Sequence, residues 1–579
     1  MKKSASLLVL LLVLSFVLVA FSEVRMAKAT TDLGIIRIMP DGSVEGTDKI
    51  QRDGDVYTFT GDVTGDLNNE FGDMEGFLLV MKDNVVIDGA GHTLQCNGTG
   101  VGIFLRSLHN VTVKNFNLEG FSVGISLYVI DPGVPLEYPM HRGHALNCQL
   151  LNNNISVVDN GRLITGELGG WGIYVEFADN TVVSGNTITS LNPQKGICCG
   201  TGCINTTLTD NLLVGCGINL FSLDSNTLHN NTVDGKPIVY VDGGANQVIE
   251  GAEQVFLFNC SNMTVKNISP SANYTNTVQL EETEFSKVTG CRGNIVLTDS
   301  RNNTVHDNSP KSIKLTGSDY NRIADNIVVD SGVCIMVYGS SSYNEICGNV
   351  LLNSSTSPDA DALFASGKNT VGIRLGDALL GGSQHNNIHQ NILMNHIVGI
   401  ECYISSNNSI HENYIADSNV GISFGGSYQN IVYQNNITNC GYAVSIRGSN
   451  NAFYHNNFLE NSHQVSIRHT YLFTSDIITE YSTNNTFNLG PDLGGNYWSN
   501  YNGTDADEDG AGDTPYIINE DTQDNQPLME PTENPVLEIP EPIPEFSDWT
   551  PLHVMLVVVV ALAVIYRQST VKNQRRAES

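Results

Sequence analysis

Apolar residues return along this chain at two-residue spacing in short bursts, and the bursts themselves recur. The segments "NNIHQNILMNHIVGIECYI", "NSIHENYIADSNVGISFGG", "NIVYQNNITNCGYAVSIRG" and "NAFYHNNFLENSHQVSIRH" align without gaps through most of their length. Ile388, Ile410, Val432 and Phe453 share one column, with a period of 22, 22, then 21 residues. Leu393, Ile415, Ile437 and Phe458 form a second column, and Ile400, Ile422, Val444 and Val465 a third. Two residues on come Cys402, Phe424, Ile446 and Ile467. Two-residue spacing is that of side chains sharing one face of a strand, and the Asn, Gly and Ser between bursts would break helices. A unit this short cannot close a core alone, so stacking on its neighbours must complete it. The predicted fold is all-β, a parallel β-helix with two to three short strands per turn and rungs about 4.8 Å apart.

A second pattern supports the first. An Asn-x4-Asn frame recurs at Asn110/Asn115, Asn147/Asn152, Asn226/Asn231, Asn262/Asn267, Asn303/Asn308, Asn321/Asn326 and Asn344/Asn349, then runs through the four aligned units. Asn tolerates the left-handed backbone of a sharp corner, and stacked amides can hydrogen-bond from rung to rung. About seventeen rungs are expected between residues 84 and 490, a rod on the order of 80 Å. Residues 30–83, with "GIIRI", "DVYTFTGDV" and "GFLLVM", read as strands capping the N-terminal end, because a solenoid's raw edges need covering. Longer excursions at 129–146, 155–171 and 354–384 are natural binding surfaces, with Tyr138 and Trp171 in or beside two of them.

The two ends differ from the body. Lys2 and Lys3, the apolar run Leu7 to Phe21 and Ala27-Lys28-Ala29 read as a signal peptide over 1–29. Residues 531–548, including "PTENPVLEIPEPIPEF", read as an extended Pro/Glu spacer. The almost wholly apolar stretch 549–566 is long enough for a membrane helix, and the basic tail 567–579 after it places that end in the cytoplasm. The expected placement is therefore at the cell surface, anchored by one C-terminal span with the ectodomain outside.

Composition narrows the function classes. A formal net charge of -32 and only 16% charged residues exclude a nucleic-acid partner, which needs clustered Lys and Arg. Twelve cysteines in an exported chain permit disulfides. Cys198, Cys199, Cys203 and Cys216 are the candidates, with zinc the weaker reading of the same set. Cys402, on an inward column, is expected to be a buried thiol. Of about fifteen Asn-x-Ser/Thr sequons, Asn97, Asn110, Asn154, Asn205, Asn262, Asn436 and Asn502 are glycosylation candidates.

At "KDNVVIDGAGHTLQCNGTGVGIFL" (82–105), "DGKPIVYVDGG" (234–244) and "GGNYWSNYNGTDADEDGAGDTPYII" (494–518) the chain resembles the NosD-like β-helix repeat proteins, especially exported archaeal ones, over most of residues 45–530. The resemblance implies a right-handed parallel β-helix of the kind found in carbohydrate-binding proteins and sugar hydrolases. It says less about activity: members named for copper delivery to nitrous oxide reductase share the fold. "PEF" at 544–546, followed by the apolar segment and basic tail, resembles a C-terminal surface-sorting signal.

The stretch "GTDADEDGAGDTPY" is the densest acidic run of the cap, 491–530. Asp505, Asp507 and Asp509 stand at positions 1, 3 and 5 of a loop, Gly510 at 6, Ala511 at 7 and Asp513 at 9, the front of an oxygen-rich calcium loop. Tyr516 occupies the place of the usual bidentate acid, which excludes the complete helix-loop-helix hand. Glu520, Asp521 or Asp524 is left to supply the missing ligand. Calcium, in a structural role, is the expected cofactor.

Catalytic candidates are scattered: Asp88, Asp242, Asp299 with Arg301, Arg374 with Asp377, Arg447 and Arg468, with no recurring close set of the kind glycosidases and lyases need. Copper needs imidazole or thiolate ligands gathered together. His385, His389, His396 and His411 are the densest histidines, and His389 and His411 are expected to stack one rung apart, but their column continues as Tyr433 and Tyr454, so copper is not expected. The reading is a non-enzymatic surface protein that contacts polysaccharide or another envelope component. The alternatives are a β-helix lyase or glycoside hydrolase, and a copper-handling protein.

Overall fold

The structure is a computed structural model that describes residues 35–65, 76–96, 100–128, 144–158, 170–193, 195–224, 226–353, 370–467, 471–473, 476–478, 482–490 and 494–533. The signal segment, most of the Pro/Glu spacer, the apolar segment 549–566, the basic tail, Asn97, Tyr138 and Arg468 lie outside the described residues. Among the described residues there is no helix, and so none long and apolar enough to cross a membrane.

Strands of two to eight residues stack in parallel ladders, one strand of each ladder per turn of the chain. This is the all-β parallel β-helix expected from the periodicity. In the first half, one face runs from Ile36–Ile38 through Gly76–Val80, Val101–Arg106, Val123–Tyr128, Ile173–Val175 and Ile197–Cys199 to Ile218–Leu220. A second runs from Val56–Phe59 to Thr227–His229, and a third from Val63–Thr64 to Thr232–Val233. At the N-terminal edge the pairing turns antiparallel, Ile36–Ile38 with Val44–Glu45 and Ile50–Asp53 with Val56–Phe59.

The aligned columns are neighbours in space. Ile388 pairs with Ile410, Ile410 with Val432 and Val432 with Phe453, all fully buried. The Leu393 and Ile400 columns pair in the same way. Cys402 is fully buried, and burial pushes its thiol up. Each aliphatic side chain so removed from water contributes about 1.5–3 kcal/mol, which a single rung could not supply on one side alone.

Two seams depart from the simple repeat. At residues 232–242 the chain folds back, Thr232–Val233 pairing antiparallel with Lys236–Asp242, and a second set of ladders starts from there. Side chains take the place of strand pairing across this seam. Gln254 accepts from the Ile218 amide through Oε1 and donates Nε2 to the Ile218 carbonyl, while Glu281 accepts from the Leu223 amide and the Ser222 hydroxyl. Burial raises the Glu281 pKa, against those donors. At the far end Trp498 stacks on Phe458 at 4.5 Å and on Tyr516 at 4.3 Å, closing the core with rings.

Candidate functional site

Each turn of the second half includes a four-residue corner. Asp299, Ser300, Arg301 and Asn302 make one; Glu282 to Phe285, Gly317 to Tyr320 and Asn259 to Asn262 make its neighbours. The second residue points inward. Ser300 is buried, accepts from the Thr283 amide at 3.1 Å, and its own amide donates to Ser318 Oγ at 3.1 Å. The first and fourth residues are left-handed: φ is 45° at Asp299 and 56° at Asn302, 48° at Glu282 and 53° at Phe285. A buried hydroxyl ladder thus floors a groove along the first three positions of these corners.

That groove has a volume of about 450 Å³ and is lined by Glu282, Glu284, Asp299, Arg301 and Asp319 among others. Arg301 Nε donates to Glu284 at 3.0 Å, and Asp319 accepts from the Ser342 amide at 2.6 Å. Sequence reading singled out Asp299 and Arg301 but missed Glu282, Glu284 and Asp319. Aligning the corners at 17- and 18-residue offsets would have found them, since Glu284 bridges to Arg301 in register.

The fourth-residue ridge is Asn along much of the protein: Asn110 donates to Asn84, Asn147 to Asn110, Asn180 to Asn147 and Asn205 to Asn180 at 2.7–3.1 Å. Beside the groove it becomes aromatic. Phe285 is 54% exposed, Tyr320 55% and Tyr343 49%. Tyr320 stacks on Tyr343 at 5.0 Å, and Tyr343 on His385 at 4.9 Å.

A second cluster lies on an outward strand face. His389 and His411 stack at 5.0 Å with planes 6° apart, and Tyr433 and Tyr454 continue the stack. One rung before His389 are Glu345, whose carboxylate meets His389 Nε2 at 3.1 Å, and Cys347. Ligand atoms of Glu345, Cys347 and His389 lie within 4.8 Å of one another. Burial, with Glu345 close by, pushes the Cys347 thiol up to about 11, and burial with His389 alongside lowers His411.

In the acidic loop the structure brings Asp505, Asp507 and Asp509 together, their carboxylate oxygens within 4.8 Å. Gly510 takes φ +89°, the bend that position needs, and its amide donates to Asp505 at 2.9 Å. Asp513 is used otherwise, accepting from the Ala506 amide at 2.9 Å, and Ala511 bridges to Leu528. Asp524 is no candidate ligand for the loop. It is buried, receives Asn496 N at 2.7 Å and Trp498 Nε1 at 3.0 Å, and its pKa is raised by burial. Asp524 ends the buried amide ladder, because a carboxylate has no N–H to donate onward; its other oxygen accepts from the Gln526 amide at 3.0 Å.

Cys198, Cys199, Cys203 and Cys216 are all buried free thiols, Cys199 sharing a side-chain hydrogen bond with Cys203. That bond is the leading cause that raises Cys199 and lowers Cys203; burial lifts Cys216 to about 12. Asn110, Asn154, Asn205, Asn262 and Asn502 are exposed, and Asn436 is half-buried. The remaining charged candidates separate: Asp88 pairs with Lys114 at 3.2 Å and Arg374 with Glu401 at 2.6 Å. Trp171 is buried beside Val101, Phe104 and Val123.

Residues 239–372 and 365–503 match the family model described as periplasmic copper-binding protein (NosD). No curated protein matches the chain. Among solved structures, the chain is similar to XylC in complex with xylose at 11% identity and TM-score 0.25, covering 41% of this chain and 43% of that one. It is also similar to the A-module of the Azotobacter vinelandii mannuronan C-5 epimerase AlgE6, at 11% identity and TM-score 0.23, over 74% and 90% of the two chains. A mutant of the periplasmic alginate epimerase AlgG gives 12% identity and TM-score 0.21, over 71% and 85%.

Proposed function

Starting from a chain that carries the NosD-like β-helix repeat over residues 239–503, we propose an exported, surface-held protein that binds polysaccharide through the corner groove and does not cleave it. The observation that carries this reading is the coincidence, on one corner, of a polar groove of about 450 Å³ with an exposed aromatic ridge. Sugars offer apolar ring faces and many hydroxyls, and rings beside carboxylates and a guanidinium meet both. The signal segment, spacer and apolar C-terminal segment supply the export and anchorage. Calcium at Asp505, Asp507 and Asp509, completed by backbone oxygens and water, would hold the C-terminal cap against Trp498 through Tyr516.

The test is incubation of the protein with a panel of polysaccharides, reading both retention and new chain ends. Retention with no new reducing ends or unsaturated products is expected. Cleavage would instead establish a lyase or hydrolase, with the acids around Arg301 as its groups.

A second reading, metal handling, rests on Glu345, Cys347 and His389. A thiol, an imidazole and a carboxylate within one ligand sphere suit a borderline or soft ion, whose binding would displace the Cys347 proton. Titration with Cu(I) and Zn(II) separates the readings. One equivalent bound by the wild type and none by Cys347→Ser would favour metal handling; no stoichiometric binding would remove it.

A further inference from the structure

The ridge beside the groove, which continues into His385, departs from the economy of most of its column. Left-handed backbone is cheap for Asn and costly for bulky residues, and Asn or Gln fills that position at 246, 262, 407, 429 and 450. Phe285, Tyr320 and Tyr343 hold the same conformation with φ of 53°, 57° and 59° while each residue stays about half exposed. They gain little burial in return. Conformations of this kind persist where a ligand clamp needs them.

The spacing of the three rings defines a gap. Tyr320 has Tyr343 against one face, their planes 6° apart, so its other face looks toward the next rung. That rung carries Asn302, short and exposed, and the rung beyond carries Phe285. Backbone hydrogen bonds fix the order: Phe285 N donates to Arg301 O, and Asn302 N to Asp319 O. Two rungs span about 9.6 Å, enough for one saturated ring in van der Waals contact, at about 4 Å, with each neighbour. The groove occupies the adjoining positions of the same corners: Glu284, Arg301 and Asp319, which line it, immediately precede Phe285, Asn302 and Tyr320.

We infer that the gap between Phe285 and Tyr320, over Asn302, seats a single sugar ring of a glycan that bears no acid groups. This rests on the glycan-binding reading and adds the class of sugar. Four acidic side chains and one arginine line the groove, and that arginine is already paired with Glu284. A uronate or sulfated sugar would meet like charge there, whereas hydroxyls and amines find acceptors.

The experiment measures binding of the full chain to mannan and β-glucan as neutral probes, chitosan oligomers as a cationic probe, and alginate and polygalacturonate as anionic ones. A neutral or cationic probe is expected to bind. Phe285→Asn and Tyr320→Asn are expected to weaken it about tenfold, the weight of one good aromatic contact, while melting stays level or rises because Asn suits the backbone. Asn302→Tyr, which fills the gap, is expected to abolish binding, and Leu212→Ala, exposed on a different ladder in the first half, to leave it unchanged. Binding of anionic probes alone overturns the sugar class. Retained binding in both Asn variants and in Asn302→Tyr overturns the site while leaving glycan binding intact. Failure of every probe on the wild type overturns the underlying reading itself.

Discussion

Asn413 shows what one residue does in this fold. Its side-chain oxygen Oδ1 accepts from the backbone amide and the side chain of Asn391, and its Nδ2 donates to Ile388 O, His411 O and Asn435 Oδ1. Asn413→Ala would leave buried donors and acceptors unpaired in two rungs. A loss of about 2–4 kcal/mol is expected by denaturant unfolding; a loss under about 0.5 kcal/mol would mean water replaces the ladder. His396 is the other extreme. Its Nε2 donates to Leu351 O, its Nδ1 is buried without a partner, and burial lowers its pKa to about 4. Because the folded value lies below the unfolded one near 6.5, the neutral form's advantage is complete above pH 6.5 and is lost as pH falls from there to about 4. His396→Leu is therefore expected to remove about 3 kcal/mol of acid sensitivity in that window, read as a flatter melting-versus-pH curve than the wild type's. The sequence assigned asparagine both a corner and a ladder role without separating them. At 110 and 115 the Asn-x4-Asn frame marks left-handed corners, but at 303 and 308 it marks the buried ladder. A shift of one residue turns a side chain from outside to inside, and spacing alone does not reveal which phase a rung uses.

At the scale of elements, strands of three residues succeed only because their columns match. Phe453 packs between Phe424 and Phe487, and Phe453→Ala is expected to cost about 3–5 kcal/mol, measured against Val432→Ala in the same column. The acidic loop gives a second prediction. Calcium removal should lower the melting of the C-terminal cap, and Asp507→Ala with Asp509→Ala should abolish that response; equal melting with and without calcium would rule the cage out. The aliphatic columns were legible because the period held for four units and strand spacing is a backbone constant. The seam was not. Gln254 reaches Ile218 across 36 residues and Glu281 reaches Leu223 across 58, and a side chain doing a strand's work leaves no periodic trace. The groove was half-legible for a related reason: Asp299 and Arg301 are close in sequence, but Glu282, Glu284 and Asp319 join them only through the register of separate rungs.

For the whole molecule, a rigid stack turns a one-dimensional sequence variation into a position along a surface. Replacing Asn by Phe or Tyr in one stretch of a single column creates a local ridge without disturbing the core beneath, since Thr283, Ser300 and Ser318 remain buried there. Four acidic side chains against one arginine line this groove, the charge by which the proposed site would select among sugars. Hydrogen exchange of the intact protein, with and without a polysaccharide it retains, locates that contact most directly. Binding at the corner groove predicts slowed amides at residues 282–302 and 317–343 with little change elsewhere in the ladders. Slowing confined to another face, or none despite saturating polysaccharide, would contradict it.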